Sequence, residues 1–201
     1  MSNIISETSG FWADEDMDAA RLAGLADAAA AAAPAVISAM PEFVPMLWAW
    51  LEKTGVKILS RHDGGDVKIL SASVTAALRR GAAGVQIFAD AARFQKFCAE
   101  ISPVYDDLFF GKSVYFAMDI GSIGHFDFDD LFTAANKLGA AGFLFYLKNQ
   151  DLDAAGKLYG LFDCPENNLE NHFYMTNGRN IENAARLCEK MRPDKKLVFF
   201  N

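Results

Sequence analysis

A short motif that recurs along the chain constrains the fold more than any other feature. Gly-Ala-Ala-Gly occurs at residues 81–84 and again at 139–142, 58 positions later, each time between an alanine-containing helical pattern and an apolar run. A third apolar run, at 113–119, follows Gly111 and lies midway between the two copies. A glycine after a helix is typical of a left-handed C-cap. The chain therefore repeats a helix–glycine–strand unit of about 29 residues.

Apolar runs of strand length occur at five more places, which brings their number to eight. They lie at residues 56–60, 172–176 and 197–200, with weaker candidates at 3–6 and 35–39. Helical patterns fill the intervals at 14–33, 42–53, 73–80, 91–108, 128–138, 151–161 and 181–191. Alternating strands and helices form parallel crossovers, and eight strands close a (β/α)8 barrel. We predict an α/β fold with one barrel domain over 1–201, small and without a helix after the last strand.

Two details of this reading leave alternatives open. An open doubly wound sheet would show the same alternation, but no GxGxxG or GxxxxGK[ST] motif follows any of the strands. Residues 67–70 also copy residues 56–59, both reading Val-Lys-Ile-Leu. This second copy, with two glycines before it, predicts a hairpin that leaves the barrel after the third strand.

Composition limits the possible partners and the cellular location. Hydrophobic residues make up 52% and charged residues 22% of the chain, which is typical of a globular protein. The net charge of -7 would repel a phosphate backbone, so we expect no nucleic-acid partner. The opening Met1-Ser2-Asn3 lacks a basic n-region, and no apolar run approaches the length that crosses a membrane, so we expect neither a signal peptide nor a membrane span. Three cysteines without metal-ligand spacing favour a reducing, cytoplasmic location, with no metal or other cofactor.

Charged residues recur just past equivalent strand ends. Steps of 29 residues along the chain give Arg61, Asp90, Asp119 and Lys148. Functional groups of parallel barrels collect at this end, so we predict a catalytic ring there, with a purely structural ring of ion pairs as the alternative. The same steps of 29 residues, begun four residues earlier, predict an inward-facing set of Lys57, Gln86, Tyr115 and Leu144.

The segment after the seventh strand has the features of an anion site. It consists of Asn177, Gly178, Arg179 and Asn180, directly before the helical pattern at 181–191. Glycine permits close approach of the backbone, a helix N-terminus offers N–H groups, and Arg179 adds a cation. We predict a phosphate site here, and a simple glycine turn with an asparagine N-cap is the alternative.

Other residues carry weaker signals. The aspartates at 127–130 could bind Mg2+, but they more economically cap and charge the start of a helix. His62 is either a base beside Asp63 or a solvated loop residue, and His172 is expected at the amino end of its strand, on the face that stabilises the barrel. Met46, Leu47 and Trp50 predict a buried helix stripe.

With these motifs, the chain resembles the phosphate-binding TIM barrels, the group that contains sugar-phosphate aldolases, decarboxylases and epimerases. Lys148 resembles the Schiff-base lysine of deoxyribose-phosphate-type aldolases, whereas Asn177 stands where that family has a second lysine. The aspartate-x-lysine-x-x-aspartate signature of the decarboxylases is absent, because Ile120 and Gly121 follow Asp119. The resemblance implies a lyase acting on a small phosphorylated carbonyl metabolite, with Lys148 as nucleophile.

In this interpretation Asp90 and Asp119 transfer protons, while Arg61 and Arg179 contact the anionic substrate. A flavin-dependent or isomerase barrel, or a barrel that binds without catalysis, remains the alternative. The apolar run at 197–200 and the absence of a following helix also predict an exposed strand face, and hence a homodimer.

Overall fold

Eight parallel strands close into a barrel in chain order, as the sequence predicts. The structure, a computed structural model, describes residues 9–124, 127–147, 152–175, 190 and 197–200. The strands are β1 Ser9–Trp12, β2 Ala35–Ala39, β3 Lys57–Asp63, β4 Gly84–Phe88, β5 Ser113–Asp119, β6 Gly142–Leu147, β7 Glu170–Met175 and β8 Leu197–Phe200. The helices that follow the first six strands are α1 Ala19–Ala31, α2 Val44–Leu51, α3 Val67–Arg79, α4 Phe94–Phe109, α5 Phe128–Leu138 and α6 Leu152–Asp163. No helix among the described residues is long and apolar enough to span a membrane.

The strand register determines which side chains meet inside the barrel. Following the paired residues once around the barrel displaces the chain by eight residues, which is the shear of a TIM barrel. Side chains from alternate strands therefore share a level, and the levels stack along the axis. From the amino end upward, the first level comes from the even-numbered strands and consists of Val36, Gly84, Gly142 and Val198, and the second comes from the odd-numbered strands and consists of Gly10, Leu59, Tyr115 and His172. The third level, again from the even-numbered strands, consists of Ser38, Gln86, Leu144 and Phe200. The fourth level, from the odd-numbered strands, consists of Trp12, Arg61, Ala117 and Tyr174.

Each residue of the repeated Gly-Ala-Ala-Gly motif has a separate structural task. In the first copy Gly81 takes a φ of 109°, and the amide of Ala82 then donates to Ala77 O at 3.1 Å, which closes the helix. The amide of Ala83 donates to Ile58 O of the preceding strand at 2.8 Å. A Cβ on Gly84 would lie 2.4 Å from the carbonyl oxygen of Ser113, so only glycine permits that strand contact.

The second copy repeats these contacts. Gly139 has a φ of 75°, and Ala140 N donates to Ala135 O at 3.1 Å. Ala141 N donates to Val114 O at 2.8 Å, and a Cβ on Gly142 would lie 2.1 Å from the carbonyl oxygen of Glu170. The sequence repeat therefore reflects a repeated junction in which a helix ends and the next barrel strand begins.

The structure corrects the predicted hairpin after the third strand. Residues 67–70 form the first turn of α3, because the Asp66 carboxylate accepts hydrogen bonds from the amides of Lys68 and Ile69 at 2.8 and 3.2 Å. An N-cap of this kind outweighs the β-like composition of the segment. The strand at the first position is Ser9–Trp12, whereas the predicted 3–6 lies outside the described residues.

Two predictions about apolar surfaces are wrong. In α2 the buried residues are Val44, Leu47 and Leu51, spaced three and four apart, while Met46 and Trp50 are 38% and 43% exposed. Strand β8 is not an exposed apolar edge, because Leu197 is buried and Phe199 packs against the same core within one copy of the chain. The Phe199 ring stacks on Phe173 of β7 with ring centroids 5.6 Å apart. The exposed strand face that partly motivated the predicted homodimer is therefore not found at residues 197–200, and the homodimer stays a prediction.

His62 lies inside β3 rather than in a loop. It points away from the barrel interior, is 5% exposed, and its Nδ1 is 2.9 Å from Ser73 Oγ on α3. Burial lowers the pKa of His62 to about 4, because the surrounding apolar layer disfavours the charged imidazolium. This histidine is therefore a neutral core residue at neutral pH, away from the barrel mouth.

We predict that His62 makes the protein acid-sensitive. The unfolded chain protonates this histidine near its ordinary pKa of 6.5, and the folded chain does so only near 4, so stability falls as the pH decreases through that window. The loss amounts to about 2–3 kcal/mol between roughly pH 7 and pH 4. Urea unfolding of wild type and His62→Gln across this range should give profiles that converge or cross toward acid, whereas parallel profiles would contradict the assignment.

Candidate active site at the carboxyl end of the barrel

Arg61 lies within the barrel interior, on β3, rather than just past the strand end. It pairs in register with Gln86 of β4 and is 4% exposed, so the predicted equivalence of Arg61 with Asp90 is wrong. The cause is that β3 runs to Asp63, three residues beyond the predicted end. Asp119 lies two residues past Ala117, which shares the level of Arg61, so its Cα is about 7 Å further along the strand direction.

Aromatic rings hold the Arg61 guanidinium in place. Its Cζ lies 4.0 Å from the centre of the Trp12 ring, and its Nη2 donates to the carbonyl oxygen of Ala13. Tyr174 stacks on Trp12 with centroids 3.9 Å apart and an interplanar angle of 11°. Because Arg61 comes from β3 and Tyr174 from β7, on either side of β1, the two groups cover opposite faces of the indole. Cation–π and stacking contacts thus fix the direction of the cation.

Burial and neighbouring charges shift the pKa of Arg61 in opposite directions. Burial lowers the pKa of its guanidinium, while the charges of Glu15, Tyr174, Asp14 and Glu42 act to raise the pKa. Among the described residues, Arg61 forms no ion pair and its Nε has no hydrogen-bond partner. The interior therefore contains a buried cation that the described residues do not neutralise by direct contact.

Gln86 adds a second interior donor beside Arg61. Ser38 Oγ donates to Gln86 Oε1 at 2.5 Å, a contact that spans from β2 to β4 across β3. Gln86 is fully buried, and within the described part of the chain its Nε2 has no partner. The neighbouring register positions of β3 and β4 therefore present to the barrel interior two N–H donors that have no partner among the described residues.

Three aspartates near the ends of β3, β4 and β5 share one local arrangement. Asp63, Asp90 and Asp119 each accept a hydrogen bond on Oδ1 from the amide two residues later, at 3.0–3.1 Å. The last two cap the single turns 91–93 and 120–122. One oxygen of each carboxylate is thus used to shape a loop. The predicted catalytic pair therefore has a structural task besides any chemistry.

Tyr146 of β6 lies within the electrostatic influence of two of these carboxylates, Asp119 and Asp90. It faces inward, pairs in register with Asp119, and lies beside Phe88 with ring centroids 5.6 Å apart. Burial raises the pKa of the Tyr146 phenol, and the charges of Asp119 and Asp90 raise the pKa further. The phenol therefore stays protonated at neutral pH and faces the acidic side of the mouth.

The sequence reasoning missed a polar cluster lower in the barrel. Tyr115 OH donates to Glu170 Oε2 at 2.8 Å, and His172 stacks on Tyr115 with centroids 4.2 Å apart. His172 is the third residue of β7 and faces the interior, not the amino rim as predicted. Glycine at position 142, on the intervening strand, carries no side chain between Tyr115 and Glu170. The alternation of Glu170, His172 and Tyr174 along the chain was the signal for this inward face.

The inward-facing set is otherwise partly confirmed. Gln86, Tyr115 and Leu144 are buried inside the barrel, but Lys57 is exposed at the start of β3. Asp127 occupies the N-cap position of α5, but its side chain accepts from Gly124 N at 3.2 Å and makes no hydrogen bond to the helix amides. Asp129 and Asp130 lie in the first turn, so the predicted negative charge at the helix start is confirmed and the side-chain cap is not. Within the described ranges no group of three or more potential ligands is arranged to hold a metal ion.

The remaining site predictions concern parts of the chain that the structure does not describe. Lys148 follows directly after the last residue of β6, and lies outside the described residues. The predicted phosphate site, which consists of Asn177, Gly178, Arg179 and Asn180, also lies outside them. Their assignment as nucleophile and phosphate ligands stays a prediction.

Solved aldolase structures share this fold, although the chain matches no family model and no curated protein. Deoxyribose phosphate aldolase from Aeropyrum pernix superposes with a TM-score of 0.71 and 13% identity, over 98% of this chain and 86% of its own. Proteins assigned as deoxyribose-phosphate aldolases from Toxoplasma gondii and Coccidioides immitis give TM-scores of 0.70 and 0.73, at 14% and 9% identity. They cover 96% and 98% of this chain and 86% and 81% of their own. At these identities the likeness shows that the chain has the barrel fold of these aldolases.

Proposed function

We propose that this protein is an aldolase-type lyase that forms a Schiff base between Lys148 and a small phosphorylated carbonyl compound. Asp119 and Asp90 transfer protons, Arg61 contacts an anionic group of the substrate, and Asn177 to Asn180 with Arg179 bind the phosphate. The proposal needs no metal and no organic cofactor. It rests on the position of Lys148 in the sequence, directly after β6, and on the groups that surround the end of that strand.

One observation carries the proposal. The inward side chain two residues before Lys148 is Tyr146, whose phenol lies within the electrostatic influence of both Asp119 and Asp90. The proposed reaction therefore pairs the amine of Lys148 with these two carboxylates and the protonated phenol. An amine nucleophile next to proton donors and acceptors is the combination that Schiff-base chemistry requires. The structural neighbours that are named as deoxyribose-phosphate aldolases support the same reaction class.

In the proposed reaction each step is carried by one of these groups. The neutral amine of Lys148 attacks the carbonyl carbon, and loss of water gives an iminium ion. One carboxylate then takes the proton of the hydroxyl on the carbon β to the iminium carbon. The carbon–carbon bond breaks, its electron pair moves into the iminium to form an enamine, and an aldehyde leaves. The Tyr146 phenol or a protonated carboxylate returns a proton to the enamine carbon, and water releases the product and Lys148.

Surroundings at the mouth suit such a charged intermediate. Asp119, Asp90 and Asp14 place negative charge on the rim, which stabilises a developing iminium cation. Aromatic rings of Trp12, Phe88, Tyr146 and Tyr174 line the interior below it and limit access of water.

We expect borohydride to trap a covalent adduct on Lys148. Incubation with short aldehydes, ketones and their phosphates under borohydride should add a mass that peptide mapping assigns to Lys148 and that is absent from Lys148→Met. Lys68→Met is the matched control, because Lys68 is an exposed lysine at the start of α3. Labelling that is equal on Lys68 and Lys148, or absent throughout the panel, would refute the Schiff base and favour a binding barrel.

Asp119 offers a test that separates its proton transfer from its loop contact. Asp119→Asn keeps an oxygen for the Gly121 amide and removes the charge, so adduct formation should persist while carbon–carbon cleavage slows roughly 100-fold or more. Asp63→Asn is the control, since Asp63 makes the same contact to Gly65 but is not among the charges that act on Tyr146. Equal rates for the two variants would assign Asp119 a structural role alone.

A further inference from the structure

We infer that Arg61 and Gln86 form a subsite for one carboxylate group inside the barrel, below the reacting carbonyl. The ligand class is a short 2-oxo acid or a related carbonyl compound that carries a carboxylate beside the reactive carbon. The inference rests on the proposed function only for the position of that carbon. The subsite itself rests on the described interior side chains.

Two buried donors without partners are the main observation. Arg61 Nε and Gln86 Nε2 are both buried and, in the described part of the chain, unpaired, although most buried polar groups in proteins have a hydrogen-bond partner. The two residues are register neighbours on β3 and β4, so their backbones lie about 5 Å apart. A group that accepts two hydrogen bonds and carries a negative charge would satisfy both donors and the cation together.

Neither donor can easily turn away to find another partner. The guanidinium of Arg61 lies against the Trp12 ring, and its Nη2 is held by Ala13 O. The amide of Gln86 is held at its oxygen by Ser38 Oγ. Both donors are therefore fixed before any ligand arrives, which reduces the entropy lost on binding.

Charge and size favour a carboxylate over a phosphate at this position. Asp14, Glu15 and Glu42 act on Arg61 from the rim, and a dianionic phosphate would be repelled by these carboxylates. A carboxylate is planar, carries a single charge and accepts on two oxygens, as the pair of donors requires. At the same level Ala117 of β5 is the smallest side chain, and aromatic groups line the entry.

The subsite would also orient the substrate for the proposed reaction. A carboxylate held at the level of Arg61 directs the adjacent carbonyl carbon upward, toward the level of Tyr146 and the end of β6. From there Lys148 follows in sequence after one further residue. Arg61 and Gln86 would thus bind the acid end of the substrate.

The test uses oxamate, a 2-oxo acid analogue whose carbonyl belongs to an amide and does not form a Schiff base. Calorimetry on the full chain should show binding of oxamate that weakens at least tenfold in Arg61→Leu and in Gln86→Leu, with Arg61→Lys intermediate. Arg93→Leu is the control, because Arg93 is an exposed arginine outside the barrel interior. Near-ultraviolet circular dichroism establishes that each variant keeps the native packing of its aromatic residues.

The outcomes separate this inference from the proposed function. Oxamate binding that depends on Arg61 and survives in Lys148→Met supports the subsite even if borohydride trapping fails. Adducts on Lys148 together with oxamate binding that is absent, or equal in wild type and Arg61→Leu, would refute the subsite and leave the lyase proposal intact. Inorganic phosphate that displaces oxamate at equal concentration would overturn the choice of a carboxylate.

Discussion

Closure of eight strands with a shear of eight residues is the constraint on which the rest of the structure depends. It fixes which side chains share a level, and it places residues from β1, β3, β5 and β7 together although they are far apart in the sequence. Trp12, Arg61 and Tyr174 meet for this reason alone. The repeated Gly-Ala-Ala-Gly junctions maintain the closure, because a side chain at Gly84 or Gly142 would collide with the neighbouring backbone.

The interior of this barrel differs from an apolar packed core. Barrel levels of this fold are usually filled by branched aliphatic side chains. Here one level contains Arg61 against the Trp12 ring, the next contains Ser38 and Gln86, and a lower one contains Tyr115 and His172. Buried polar groups destabilise a fold unless they are paired, and Arg61 Nε and Gln86 Nε2 have no partner in the described part of the chain. Arg61 is the clearest case, since the described residues balance its charge only from a distance.

Local patterns predicted the fold better than they predicted the site. The glycine repeat identified the junctions, and the spacing of apolar runs gave eight strands, because both depend on short-range backbone geometry. The position of Arg61 was predicted wrongly because β3 is longer than its apolar part. The strand continues through Arg61, His62 and Asp63, which pair with β4 by backbone hydrogen bonds that no side-chain pattern reveals. The cap at Asp66 was likewise hidden by a β-like sequence. Exposure of Trp50 depends on how α2 rotates against the barrel, which the composition of one helix does not fix.

In the proposed function, a carbonyl substrate enters the mouth between the carboxylates of Asp90 and Asp119 and the buried cation of β3. A crystal structure of the protein soaked with pyruvate and then reduced with borohydride would reveal this arrangement. We expect continuous electron density from Lys148 Nζ to the former carbonyl carbon, with the carboxylate on Arg61 Nε and Gln86 Nε2 and Asp119 facing the new bond. A Lys148 side chain directed into bulk solvent, or an Arg61 paired with a carboxylate of the protein itself, would contradict it.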